Sequence, residues 1–213
     1  MLDWYHVSEA LAMHTILIEF RRFWAGLRSL RSIFAHLALL FVFGVLTPRL
    51  KGQDFFDPQI LGAYACLGLL FAGPATAQLF AEGGAVPFQV GKARILVGVV
   101  YGEVVVLLLL GASIATVYLS FLGRFVPTPD WGSLARTTLF GLCACGLFAS
   151  MAAWSAVQFS KNAARMLMRV AFFGLLILFF YRGQWLPDVG LTAATGCIVV
   201  AGVFVELLRR ACR

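Results

Sequence analysis

Charge is what this chain has least of. Asp, Glu, Lys and Arg make up 13% of its 213 residues, against roughly 25% in an average globular chain. No stretch is long and polar enough to form a second, water-soluble domain, and the longest candidate, residues 1–31, is itself half apolar. That excludes a nucleotide-binding or catalytic domain outside a bilayer within these residues. HExxH, CxxC, GxSxG and P-loop patterns are also missing. A membrane enzyme needs several polar groups converging at one depth, and the sequence offers few. The expectation is a chain that is not an enzyme, with no catalytic residue, cofactor or metal site. The start, MLDWYHVSEA, lacks a basic segment followed directly by an apolar one, so no signal peptide is expected. No period of 20–50 residues repeats, and no stretch is low in complexity.

What fills the chain is apolar sequence, 61% of it, with a mean hydropathy of +0.89. Six long apolar runs follow one another, with charge confined almost entirely to the gaps. Between Ile95 and Phe121, 27 residues carry a single acidic or basic side chain, Glu103. Crossing the hydrocarbon core takes about 20 such residues, and a charge at its centre costs at least about 2.5 kcal/mol. The reading is an all-α polytopic membrane protein of six transmembrane helices. The spans are expected near Ser32–Leu46, Gln59–Phe80, Ala93–Leu122, Trp131–Phe159, Met166–Tyr181 and Leu191–Leu208. The first should stop at Thr47-Pro48, and Gly73-Pro74 should kink the second.

Before the spans, Phe20, Phe23, Trp24, Leu27, Leu30 and Phe34 recur at three- and four-residue steps, with Arg21, Arg22, Arg28 and Arg31 between them. Ile16–Phe34 therefore reads as an amphipathic helix lying in the membrane interface, its arginines on lipid phosphates. Residues 1–31 form a cytoplasmic N-terminus carrying this helix, and residues 32–213 form the six-helix transmembrane domain. With the N-terminus inside, twelve Lys and Arg fall on the cytoplasmic side and five on the other. That bias makes the chain multi-pass in a cell (inner) membrane with both termini cytoplasmic. The net charge of +7 is accounted for at membrane edges and does not point to nucleic acid.

Glu103 is the only acidic residue deep in an expected span. It is either a proton or substrate site facing the bundle interior, or a group paired with Arg94 or Lys92 or reaching water. Gly98 and Gly102 form a GxxxG beside it, which supports close helix packing. His36, near the start of the first span, is read as hydrogen-bonded to a neighbouring helix in preference to ligating a metal or haem. The five cysteines lie in or beside apolar runs and read as small packing residues. The loop from Ala81 to Lys92 is the most distinctive, with Glu82-Gly83-Gly84, Pro87, and the apolar pair Val86 and Phe88. It is an ordinary connection or a docking element for a cytoplasmic partner.

This layout resembles the permease subunits of ABC exporters for drugs, polysaccharides and haem-related cargo. The haem-exporter-like permeases are nearest in length. The resemblance rests on the basic amphipathic start, the Glu82-Gly83-Gly84 turn after the second span, and Gly91-Lys92-Ala93-Arg94 opening the third. It rests also on Ser160-Lys161-Asn162 after the fourth. It implies export driven by a separate cytoplasmic ATPase, a homodimer or larger membrane complex, and a coupling loop of Glu82, Gly83, Val86, Phe88, Lys92 and Arg94. The stretch between Gly84 and Lys92 is several residues shorter than in that family. This keeps a second reading open, a non-transport accessory or scaffold subunit of the same fold.

Overall fold

A backbone surrounded by hydrocarbon must satisfy its own polar groups, so apolar runs of this length become helices. The computed structural model describes residues 3–27, 30–51, 55, 57–81, 87–120, 131–159, 166–174, 177 and 186–212, and all regular structure among them is helical. Helix α1 spans Asp3–Leu27, α2 Leu30–Leu39, α3 Thr47–Lys51 and α4 Pro58–Ala81. Helix α5 spans Phe88–Ser120, α6 Trp131–Gln158 and α7 Leu186–Ala211. Between α2 and α3 the chain winds as a π-helix over Leu40–Leu46.

Five stretches among the described residues are long and apolar enough to cross a membrane: Ser32–Lys51, Ile60–Phe80, Phe88–Ser120, Trp131–Gln158 and Leu191–Ala211. The chain is thus an all-α polytopic membrane protein with five candidate spans, not six, preceded by a helix that is not one of them. The expected span Met166–Tyr181 is helical over 166–174, and most of its remainder lies outside the described residues. The amphipathic stretch expected over Ile16–Phe34 is helical over Asp3–Leu27 and Leu30–Leu39, beginning earlier than expected, with residues 28–29 outside the described residues.

The bundle is ordered from α2 and α3 through α5, α4 and α6 to α7, with α1 laid on α5. Its centre is the antiparallel contact of α4 with α5. A Cβ added to Gly102 would lie 2.8 Å from the Gly68 carbonyl oxygen and 2.9 Å from Ala72 Cβ. One on Gly98 would overlap Thr76 Oγ1 and lie 3.0 Å from the Ala72 carbonyl oxygen. Small residues on both helices therefore bring backbone against backbone. Helix α6 packs parallel to α4, Gly141 facing Ala65 and Cys145 facing Gly68. Phe140, Ala144 and Phe148 fill the seam with Cys66, Leu69 and Ala72, joined by Met168 and Phe172. Helix α7 runs parallel to α6, with the Trp154 and Phe204 rings 5.5 Å apart and Leu208 packed with Ala153.

The first span does not stop at Thr47-Pro48. It continues as helix to Lys51, with Pro48 buried inside it. Proline supplies no N–H, which frees the carbonyl four or five residues back, that of Gly44 or Phe43. Side chains from other helices reach both. The Tyr64 hydroxyl donates to the Phe43 carbonyl, and Ser113 Oγ lies 2.8 Å from it. Thr116 Oγ1 donates to the Gly44 carbonyl at 2.8 Å, a hydrogen it shares with Ala112 O. The π-turn ends with Thr47 donating to Val42 O through both its backbone N–H and its hydroxyl. Likewise, α4 runs unbroken through Pro74.

Two predictions follow from this packing. Gly102→Ala should lower unfolding stability in detergent by about 1–3 kcal/mol through overpacking. Gly111→Ala, with open space around it, should be neutral or gain up to about 1 kcal/mol in helix propensity. Thr116→Val should cost about 0.6 kcal/mol and at most about 1.7. In a Pro48→Ala background that cost should shrink, because the backbone then supplies its own donor; equal costs in both backgrounds would refute this account of Pro48.

Candidate functional site

Polar groups are expensive in this environment, so those the bundle retains mark where function can sit. Three groups of them lie on α5, which carries Arg94, Tyr101 and Glu103.

Arg94 was expected at the membrane edge, holding phosphates or pairing with Glu103. It does neither. It is 3% exposed, and its guanidinium donates from Nε to Glu19 Oε2 at 3.0 Å and from Nη2 to Glu19 Oε1 at 3.3 Å. Glu19, on α1, is 6% exposed. The reason is burial: α1 lies over the start of α5, with Phe23 packed among Ala75, Leu79 and Val97. An arginine beneath it must be neutralised locally. The Phe80 ring lies 5.7 Å from the guanidinium carbon, while Nη1 has no partner among the described residues.

Two turns on, Tyr101 meets His36. The His36 Nδ1 lies 2.6 Å from the Ser32 carbonyl oxygen, which can only accept, so Nδ1 carries the proton. In the neutral ring Nε2 then accepts from the Tyr101 hydroxyl. Phe23 and Phe71 pack edge-on to the Tyr101 ring, at 4.8 and 5.8 Å between centroids. Helices α1, α2, α4 and α5 thus converge on one hydrogen bond. The expectation that His36 bonds to a neighbouring helix holds.

Glu103 faces the other way. It lines a narrow cleft between α4, α5 and α6 with Leu61, Ala65, Val106, Thr137, Thr138 and Gly141 among its neighbours. Its Oε2 is buried and has no hydrogen-bond partner among the described residues. Since α5 begins at Phe88, Glu103 lies fifteen residues in, about 22 Å along the axis at 1.5 Å per residue. This is near the middle of the span, deeper than the sequence suggested. Neither Arg94 nor Lys92 reaches it.

The coupling-loop candidates divide. Glu82, Gly83 and Val86 lie outside the described residues. Phe88 opens α5, with the Lys92 ammonium 4.7 Å above its ring, and Lys92 is exposed. Arg94 is withdrawn from that surface by Glu19. Among the headgroup candidates, Arg21 and Arg22 are exposed on α1. Arg28 and the side chain of Arg31 lie outside the described residues. The five cysteines are free, and no cluster of metal-ligating side chains occurs among the described residues. Sequence reasoning missed Glu19, Tyr101, Thr137 and Thr138. Glu19 alone carried a signal, as the only acidic residue between Ile16 and Arg31.

No protein-family profile, curated protein or solved structure matches this chain. Nothing in these comparisons ties it to the exporter permeases its layout resembles.

Breaking a buried ion pair by removing one partner costs about 3–5 kcal/mol, whereas an apolar pair of similar volume is often neutral. Arg94→Met and Glu19→Leu should each destabilise the docking of α1 on α5 by that order. The double variant should recover most of the loss. Protease sensitivity of the segment joining α1 to α2 reads this out; additive losses would show that the pair is not a unit.

Proposed function

We propose that this chain is the transmembrane subunit of an exporter, driven by a separate cytoplasmic ATPase and completed by a second copy of itself. The single observation that carries the reading is a multi-span bundle holding uncompensated polar groups at depth, Glu103 above all. A bundle built only as an anchor gains nothing from them. The sequence resemblance supplies the class: a basic helical start, an acidic-glycine turn, and a lysine opening the long span α5.

The arrangement of charge supports the orientation. Helix α1, the start of α5 and the end of α7 lie at one end of the bundle, since Phe23 packs with Leu79, and Gly91 lies against Phe80 and Leu208. Arg21, Arg22, Lys92, Arg209 and Arg210 therefore gather at that end. Arg49, Lys51 and Arg136 lie toward the other. Setting aside Arg94, neutralised by Glu19, the count is eleven against five, a bias that supports a cytoplasmic setting for the first end. Because α6 and α7 run parallel, the end of α6 and the start of α7 lie at opposite ends. Six crossings with both termini inside fit that geometry.

A second reading is favoured by one measurement. Residues 82–87 alone separate α4 from α5, too few for a coupling helix of more than a turn. A scaffold subunit of a larger membrane complex would need none.

One experiment separates the two readings. Reporter fusions at Arg213 and within residues 52–58 should report opposite sides. Purification in mild detergent should then recover an ATPase subunit with the chain, and Phe88→Asp should abolish that association while leaving insertion and helix content unchanged. Purification with an unrelated complex and no ATPase, or binding that survives Phe88→Asp, would replace the exporter reading with the scaffold.

A further inference from the structure

Among the described residues, the cleft at Glu103 contains oxygen acceptors and no donor. Thr137 Oγ1 donates its hydrogen to the Ser133 carbonyl at 2.9 Å, and Thr138 Oγ1 donates to the Leu134 carbonyl at 2.9 Å. A hydroxyl has one hydrogen, so each threonine can present only lone pairs to the cleft. The rest of the lining is Leu61, Ala65, Val106, Leu110, Leu134 and Gly141. No lysine, arginine or histidine is among these residues. Among the described residues, the titratable groups near enough to feel the Glu103 charge are the thiols of Cys143 and Cys145 on α6, with Cys66 on α4 next to Cys145. None of them brings a positive charge.

A carboxylate among acceptors only, in an apolar setting, needs a positive species. Two candidates fit the chemistry, a proton or a small monovalent cation. Ligand number separates them. Besides the carboxylate itself, the lining offers only the two threonine hydroxyl oxygens, and a metal cation held by oxygen needs a fuller shell of ligands. A proton needs none. We infer that Glu103 is a proton-binding site. No hydrogen bond joins Glu103 to either threonine as the side chains stand; the carboxylic acid form can turn its hydrogen toward a lone pair of Thr137 or Thr138, which line the same cleft where α6 meets α4 and α5. The seam is closed by small contacts, Gly141 on Ala65 and Cys145 on Gly68. This inference stands whether or not an ATPase partners the chain.

Infrared difference spectroscopy on the full chain in lipid nanodiscs tests it. At neutral pH the wild type minus Glu103→Gln spectrum should show the carbonyl stretch of a protonated carboxylic acid, unchanged by adding sodium or potassium chloride. In Thr137→Val/Thr138→Val, which keeps Glu103 and the shape of the cleft, that band should shift toward the position of a free acid. A difference spectrum with carboxylate bands alone overturns the proton site. Conversion of the acid band to carboxylate bands on adding either salt overturns it in favour of a cation site. A band that does not move in the double threonine variant overturns the assignment of the acceptors. If Glu103→Gln does not fold, carbon-13 labelling of glutamate in the threonine variant reads the same band shift.

Discussion

The contact of Gly102 with Gly68 orients the rest of the molecule. Successive helical residues turn by about 100°. With Gly102 pressed onto the α4 backbone, Tyr101 must project to one flank of that contact and Glu103 to the other. Tyr101 accordingly meets His36, Phe23 and Phe71 on the side of α1 and α2. Glu103 meets Thr137 and Thr138 on the side of α6. Arg94, two turns nearer the helix start, falls beneath α1. A glycine pair that sequence reading could assign only to packing thus separates two polar sites. A side chain at position 102 would push the helices apart and loosen both flanks together.

The first span depends on that core in a different way. Ser32–Lys51 buries little of itself in the bundle. Its outer face, with Phe34, Leu37, Phe41 and Leu50, is exposed and suited to lipid. What fastens it is polar: Tyr64, Ser113 and Thr116 on the carbonyls around the π-turn, and Tyr101 on His36. In water these hydroxyls would find solvent, and the carbonyls freed by Pro48 would too. In hydrocarbon the freed carbonyls have no solvent to turn to, and the Ser113 and Thr116 hydroxyls have only the Leu109 and Ala112 carbonyls of their own helix. The same proline that would end a soluble helix therefore ties this one to its neighbours.

This explains how far the sequence could be read. Hydropathy located the helices because lipid imposes it residue by residue, and five of the six expected spans return with ends shifted by a few residues. His36 was legible because a lone histidine in an apolar run needs a partner. The continuation through Pro48 was not, since it depends on hydroxyls 16 to 68 residues away along the chain. Nor was the ion pair of Arg94. Glu103 and Lys92 are its near neighbours in sequence, yet its partner is Glu19, 75 residues away. Residue spacing reports which face of a helix a group occupies. It does not report which other helix arrives there, and the sites of Arg94, Tyr101 and Glu103 are each a meeting of helices distant in sequence.

The Glu19–Arg94 pair changes what α1 is. A helix held only by arginines on phosphates would slide in the interface, because headgroups are equivalent to one another. A buried carboxylate–guanidinium pair has one geometry, and slipping by one residue would strand two charges away from water. Arg21 and Arg22 remain exposed while Glu19 and Phe23 face inward. One helix therefore turns Arg21 and Arg22 outward and Glu19 toward the bundle. Since Phe23 also packs on Tyr101, the position of α1 is communicated directly to the His36 hydrogen bond and so to the first span. A force applied to α1 reaches the bundle interior through that aromatic contact, that ion pair and the packing of Phe23 on Ala75, Leu79 and Val97.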